Sequence, residues 1–331
     1  MRTAITGASG LLGANLALEL IAAGHEVVCT RRGTSKVDHL DHAPITWVTA
    51  DLSDQAALAR AFVGCEVVFH CAAQIEFFRS VSASMMDTNV EGTRRVILAA
   101  ADAGVRRVVH CSSVVAIAIA QPGQMATETS VYNLPDHGLD DSYTITKHLA
   151  QGVALELARQ HDVVIVNPTY MFGPFDARPS SGRLMVELVS GRVPGYTAGV
   201  NNFVDVRDVA RGMIAAAERG RRGELYILGG QNMSYREIFT EIARVAGVQA
   251  PRLGIPRFAA ELAGWVGEIQ QRITGREAML NISQVRWSYC RDYRFSHHKA
   301  EVELGYTTRP LHETLTDTLA WFRQRGMLPP G

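Results

Sequence analysis

In the first half of the chain, short apolar, β-branched runs alternate with longer stretches whose apolar positions recur at helical spacing. The short runs lie at residues 3–6, 26–30, 46–49, 67–70, 107–111 and 163–166, and several are apolar on both alternations, as strands covered by helices on both faces must be. The helical stretches between them are 11–23, 55–62, about 85–103 and 143–160. Gly24, Gly64 and Gly104 follow the first three and suit left-handed C-caps. This rhythm predicts βαβ units and an α/β, doubly wound parallel sheet over residues 1–167.

Past Asn167-Pro168 the rhythm breaks, and Pro, Gly and Ser collect up to residue 199, leaving room for one helix at 182–190. A strand at 203–206, a helix at 208–219 and a strand at 225–228 follow, and residues 203–228 are expected to contribute to the main domain. Helical patterns then cover 234–248 and 257–273. In the second of these, Phe258, Leu262, Trp265, Val266 and Ile269 form an apolar stripe that predicts a core-facing helix, with a weak surface or dimer contact as the alternative. Residues 168–331 therefore read as a smaller, helix-rich, substrate-binding cap.

Composition narrows the function. Lys plus Arg and Asp plus Glu number 33 each in 331 residues, so no global charge draws the chain to nucleic acid or to an anionic membrane. The longest apolar runs, such as 114–120, fall far short of the ~20 residues of a membrane span, and no leader pattern precedes the first strand. A soluble, cytoplasmic protein is expected. Cys29, Cys65, Cys71, Cys111 and Cys290 are odd in number and form no C-x-x-C pair, which predicts buried thiols and neither disulfides nor a metal site.

The chemistry begins with Thr6-Gly7-Ala8-Ser9-Gly10-Leu11-Leu12-Gly13, where a strand runs through a turn with glycines three apart into a helix. Such a turn lets the backbone approach a pyrophosphate, which the free N–H groups and dipole of the following helix then face. The second strand ends in Arg31-Arg32, where an acid would take the 2′-hydroxyl of NAD. Planar guanidinium groups suit a 2′-phosphate, which predicts NADP(H). Asp51-Leu52 follows the third strand, and Asp51 either accepts from the adenine amino group or caps the next helix. Cys71-Ala72-Ala73 ends the fourth strand with small residues that admit a cofactor.

Tyr143 and Lys147 stand four apart at a helix start, so both point to one side, and Ser113 lies just past the fifth strand. Carbonyl reduction needs a proton at oxygen as hydride reaches carbon. Tyr143 would give that proton, Lys147 would lower the phenol's pKa and hold the nicotinamide ribose, and Ser113 would hydrogen-bond the substrate oxygen. Asn89 has two open readings, as a ligand of the nicotinamide side or a water, or as a helix anchor. His137 and Asp140 read as loop residues before the tyrosine.

Together Thr6-Gly7-x-x-Gly10-x-x-Gly13, Asp51-Leu52, Cys71-Ala72-Ala73, Asn89-Val90-x-Gly92-Thr93, Ser112-Ser113, Tyr143-x-x-x-Lys147 and Asn167-Pro168 resemble the extended short-chain dehydrogenase/reductase family. The likeness is to its dihydroflavonol-reductase and 3β-hydroxysteroid-dehydrogenase side, and to hopanoid-associated sugar epimerases. The resemblance implies a Rossmann fold, a nicotinamide cofactor bound by the motif residues including Pro168, the Ser-Tyr-Lys roles of Ser113, Tyr143 and Lys147, and a homodimer. Ala118 stands where the family carries a glycine, and Val114 stands where the dehydratase branch carries an acid, which points away from elimination of water.

Pocket candidates are Gln74, Phe77, Phe78, Ser113, Tyr170, Met171, Phe172, Tyr196 and Phe203, largely aromatic, with Arg178 and Arg183 able to hold a diphosphate. The leading expectation is an NADPH-dependent ketone or aldehyde reductase, reversible as an alcohol dehydrogenase, acting on a small hydrophobic or ring-bearing molecule. A nucleotide-sugar 4-epimerase with retained cofactor and a non-catalytic nucleotide sensor are the alternatives.

Overall fold

The computed structural model describes residues 1–77, 80–274 and 281–329. Among them, β1 (Arg2–Thr6), β2 (Glu26–Arg31), β3 (Ile45–Thr49), β4 (Val67–His70), β5 (Arg107–Cys111), β6 (Val163–Pro168) and β9 (Leu225–Leu228) form one sheet in the order β3-β2-β1-β4-β5-β6-β9. Every adjacent pair is parallel. The strand order reverses beside β1, and the crevice at that reversal, outside the carboxyl ends of β1 and β4, is where ligands of such sheets bind.

Helices cover both faces. On one face α1 (Leu11–Ala22) and α7 (Val206–Arg219) bury Leu12, Leu16, Val209 and Met213 against Ile5, Phe69 and Val166. On the other, α2 (Gln55–Phe62), α4 (Gly92–Asp102) and α5 (Ser142–Leu157) bury Leu58, Phe62, Val96 and Ala154 against Val28, Val68 and Ile165. Gly24, Gly64 and Gly104 adopt positive φ after α1, α2 and α4, the backbone state a left-handed C-cap needs. The long helix expected from residue 85 is built in three pieces. A single turn, α3 (Ala83–Met85), leads into a wider π-helical turn (Met86–Glu91) before α4.

The later chain adds a small sheet in which β8 (Val200–Asp205) pairs parallel with β7 (Tyr170–Phe172) and antiparallel with β10 (Gln231–Ser234). The strand expected at 203–206 thus belongs to this sheet, while 225–228 joins the main one. Asp205 ends β8 because its carboxylate caps α7, accepting from the Arg207 N–H at 2.7 Å. Around the small sheet, α6 (Arg183–Val189), α8 (Tyr235–Ala246) and α12 (Leu311–Gln324) enclose a second core of Met185, Ile238, Ile242, Leu315 and Phe322.

The remaining helices are α9 (Arg257–Thr274), α10 (Ile282–Ser288) and α11 (His298–Leu304). Here α9 corrects the expectation of a core-facing stripe. Phe258 is 75 % exposed and Leu262, Val266 and Ile269 are more than half exposed. The inward face instead carries Ala260 and Gly264, small enough for α10 to approach closely, with the Cβ position of Gly264 only 3.1–3.2 Å from Val285 and Ile282. All five cysteines are free thiols. Among the described residues no helix is long and apolar enough to cross a membrane, and no His, Cys, Asp and Glu cluster could hold a metal.

Candidate active site

The glycine turn is shaped by what a side chain would strike. Gly7 has φ +82°, and a Cβ there would lie 2.6 Å from the Ala72 nitrogen, so the turn lies directly on the Cys71-Ala72-Ala73 segment. A Cβ on Gly13 would lie 2.4 Å from the Gly7 carbonyl oxygen, which seats α1 hard against the turn. Gly10 is exposed and meets only the Gly7 oxygen, at 3.5 Å. It is also the N-cap of α1, with no side-chain cap and no acid in the first turn. The N–H groups of Leu11, Leu12 and Gly13 have no intrahelical partner by construction, so this lip is an anion cradle to which a dinucleotide's pyrophosphate fits. Thr6 lies under it, its hydroxyl 2.7 Å from Nδ1 of the buried His70, whose Nε2 lies 3.2 Å from the Thr93 hydroxyl.

At the far end of the crevice Arg31 lies over the Trp47 ring at 5.7 Å, and Arg32 is exposed. The Asp51 carboxylate accepts from the Ser53 N–H at 2.9 Å and the Ser53 hydroxyl at 2.7 Å, bonds that hold its pKa below the usual range with help from nearby Arg32 and Arg95. The cap of α2 is Asp54 and not Asp51.

Asp141 starts α5, its carboxylate accepting from the Thr144 N–H at 3.0 Å. Tyr143 in the first turn lies beside Ser113, and Lys147 one turn later is buried, donating to the Cys111 carbonyl at 2.7 Å. Burial dominates the electrostatics. It pushes the Tyr143 phenol above its ordinary pKa despite the Ser113 hydroxyl beside it, and it pushes Lys147 down. The expected lowering of Tyr143 by Lys147 is therefore corrected. The ammonium is directed to the backbone of β5, and the phenol keeps its proton through neutral pH.

A buried amide network holds Ser113 in place. Gln151 accepts from the Ser112 hydroxyl at 2.8 Å and from the Asn167 amide at 2.7 Å, and Asn167 also donates to the Ser113 carbonyl at 2.8 Å. Gln151 escaped the sequence reading, although it continues the spacing of four from Tyr143 and Lys147. Asn89 resolves toward the anchor. Both amide hydrogens are donated, to the Gln74 carbonyl and the Thr146 hydroxyl, while its oxygen accepts from the Gln74 N–H at 2.7 Å. It fixes the strand-end segment to α5.

The pocket candidates divide. The Phe77 ring stands edge-on to Tyr143 at 5.4 Å. Phe78 lies outside the described residues. Phe172 and Phe203 are corrected to core residues, at 0 % and 1 % exposed and stacked on each other at 5.9 Å because β7 and β8 are neighbours. Met171 packs half-buried against the main core, and Tyr170 closes the cap core with its hydroxyl on the Ser181 carbonyl. The Gln74 side chain is tied to Glu76 and Ser84. Arg178 lies near His39 in the segment after β2, and Arg183 faces Glu187 on its own helix at 3.8 Å. Tyr196 lies under Arg236 at the cap edge.

What the sequence reading missed is the roof. Trp287 of α10 donates from its indole N–H to Asp141 at 2.8 Å, and Asn281, which caps α10, donates to the Phe77 carbonyl at 2.9 Å. The surface groove of about 370 Å³ lined by Ile97, Val105, Arg106 and His161 lies at the amino-terminal starts of β5 and β6, on the side of the sheet away from this site.

A profile of the NAD dependent epimerase/dehydratase family matches residues 3–229. The chain is 34 % identical to sterol demethylase protein B of Methylococcus capsulatus, over 99 % of this chain and 100 % of that one. It is 31 % identical to the 4-hydroxy-2-methyl-3-oxo-4-farnesyl-3,4-dihydroquinoline-1-oxide ketoreductase of Stigmatella aurantiaca, over 98 % and 97 %. The crystal structure of gox2253 superposes with a TM-score of 0.85 at 35 % identity, covering 99 % of each chain.

Proposed function

The chain belongs to the NAD dependent epimerase/dehydratase family, and from that premise we propose that it is an NADPH-dependent reductase of a ketone or aldehyde on a hydrophobic or ring-bearing substrate. The observation that carries this reading is the placing of Tyr143 beside Ser113 and Phe77 and one helical turn from the buried Lys147. A phenol that holds its proton at neutral pH is the state a reduction consumes. NADPH held at the Gly7-Gly10-Gly13 turn would supply a hydride to the carbonyl carbon. The Tyr143 proton goes to the carbonyl oxygen and Ser113 orients that oxygen, while Lys147, anchored on the Cys111 carbonyl, would hold the nicotinamide ribose.

Four features support the finer parts of the reading. Arg31 and Arg32 at the end of β2 favour a 2′-phosphate, and Phe77 supplies an apolar wall at Tyr143. The Stigmatella relative is named as a ketoreductase of a ring ketone. The elements from residue 168 onward other than α7, β9 and α11, with α10 above all, act as the substrate-binding cap over the nucleotide domain.

The test is NADPH oxidation followed at 340 nm with a panel of ring ketones. Stoichiometric NADPH loss, at least tenfold faster than with NADH, supports the reading. Tyr143→Phe should lose roughly 10²–10⁴-fold in turnover while binding NADPH as tightly as the parent. Epimerisation of a nucleotide sugar with no net NADPH consumption would overturn it.

A further inference from the structure

The hydroxyl of Thr6, the first residue of the glycine turn, lies 2.7 Å from Nδ1 of His70, and Nε2 of the same ring lies 3.2 Å from the Thr93 hydroxyl. All three side chains are buried, so each of their protons has to find its acceptor inside the protein. Thr93 fixes the rest. Its one hydroxyl proton goes to the Asn89 carbonyl at 2.7 Å, because a carbonyl can only accept. Toward His70 the Thr93 oxygen therefore accepts, and Nε2 carries the ring proton. Burial, with the Lys147 charge nearby, pushes the His70 pKa down to about 3, so the ring is neutral and Nδ1 is bare. Thr6 then donates to Nδ1. The direction of each bond is set, and the Thr6 proton is committed to His70 and not to a phosphate in the cradle.

The run of bonds continues past Thr93. Asn89, whose carbonyl takes the Thr93 proton, sits in the π-helical turn before α4, and its side-chain amide donates to the Thr146 hydroxyl at 3.0 Å. Thr146 donates in turn to the Ser142 carbonyl at 2.8 Å. On α5, Ser142 precedes Tyr143 and Thr146 precedes Lys147. Buried hydrogen bonds thus join the glycine turn to the helix of the reacting groups, and in a low-dielectric interior such bonds polarise and strengthen one another. We propose that His70, protonated at Nε2, is a positioning residue that holds the glycine turn and the Tyr143 helix in one register, so that a dinucleotide seated at the turn meets Tyr143 and Lys147 at the reacting distance. The proposal rests on the reductase reading for the reaction itself, and it adds what keeps the two ends of the site at one spacing. A misplacement of about 1 Å between reacting groups is enough to slow a reaction roughly 10²-fold.

The experiment uses His70→Phe, which keeps a ring and removes both bonds, and Thr6→Val, which cuts the same run at the turn with little change of shape. In ¹⁵N NMR of the parent, His70 should show a protonated Nε2 and a bare Nδ1 from about pH 5 to about pH 8. Each variant should lose about 10- to 100-fold in kcat at saturating NADPH and ketone, with the ketone KM within about threefold of the parent's. The double variant should lose no more than His70→Phe alone, since both cut one run. ADP fills the turn but has no nicotinamide end, so it reads the coupling without turnover. In the parent, ADP should slow amide hydrogen exchange about threefold or more in the first turn of α5 as well as at the glycine turn, and in His70→Phe at the glycine turn alone. Should His70→Phe fail to fold, Thr6→Val makes the same comparison. A ring protonated at Nδ1, an unchanged kcat in the folded variants, additive losses in the double variant, or ADP protection that never reaches α5 or reaches it without His70 would overturn the proposal. If no ketone consumes NADPH, the reductase reading fails by itself, and the NMR and ADP comparisons still decide the role of His70.

Discussion

Tyr143 shows how one side chain's surroundings set its protonation state. Burial raises its pKa and lowers that of Lys147, so at neutral pH the phenol carries its proton. The reverse reaction needs the phenolate. With the pKa raised above its ordinary ~10, alcohol oxidation should climb steadily from pH 7 to pH 10, whereas ketone reduction should stay flat over that range. Paired pH–rate profiles check this, and an oxidation rate that levels off near pH 7 would contradict it. Ser113, Tyr143 and Lys147 were legible in the sequence because their spacing is local to one strand end and one helix turn. Their electrostatic state was not, because it depends on how completely the cap excludes water. Gln151 was legible in principle, by the same spacing of four, but a glutamine in a helix announces nothing until Ser112 and Asn167 are seen to converge on it.

At the scale of elements, the nucleotide half follows closely from pattern. Strands flanked by glycine-capped helices leave few alternatives, and the six short runs of the first half correspond to β1 to β6 within a residue or two. The cap resisted such reading for two reasons. Its strands are three to six residues long and carry mixed polarity, and α9 carries its apolar stripe outward while packing through Ala260 and Gly264. Periodicity reveals that a stripe exists but not what it faces. In the glycine turn, by contrast, function and packing coincide. Gly13→Ala forces a Cβ to within 2.4 Å of the Gly7 carbonyl, so α1 must lift from the turn at a cost of about 1–3 kcal/mol. The expected outcome is at least a tenfold rise in the Kd for NADPH, measured by fluorescence titration, with Tyr143 still in place.

For the whole molecule, the junction between main sheet and cap depends on a buried ionic group. Asp205, whose side chain is fully buried, caps α7 and pairs with Arg207 at 2.7 Å and Arg309 at 3.5 Å, while Arg309 also grips Asp208 at 2.8 Å. Burial alone would raise the Asp205 pKa, but its hydrogen bonds and the charges of both arginines hold it lowered. Because the folded value lies below the unfolded one, this stabilisation is present above about pH 4 and is lost as pH falls through the lowered value. Asp205→Ala should destabilise the protein by about 1–3 kcal/mol at pH 7, since it removes the cap of α7 and a buried acceptor of charged hydrogen bonds, while Arg207 keeps Asp317 and Arg309 keeps Asp208. Urea unfolding should show that gap narrowing below pH 4. A loss under 1 kcal/mol would show that the junction relies on apolar contacts instead.

The hydrogen bond from Trp287 to Asp141 joins residues 146 positions apart. A chain emerging from the ribosome therefore presents the glycine turn, the serine, the tyrosine and the lysine long before the tryptophan that braces the tyrosine's helix has been synthesised. The first half can fold early as a unit, but the brace on the helix that carries Tyr143 arrives only when α10 docks. The activity proposed for this site would thus come late in the protein's assembly, once the chain has been made through to its roof.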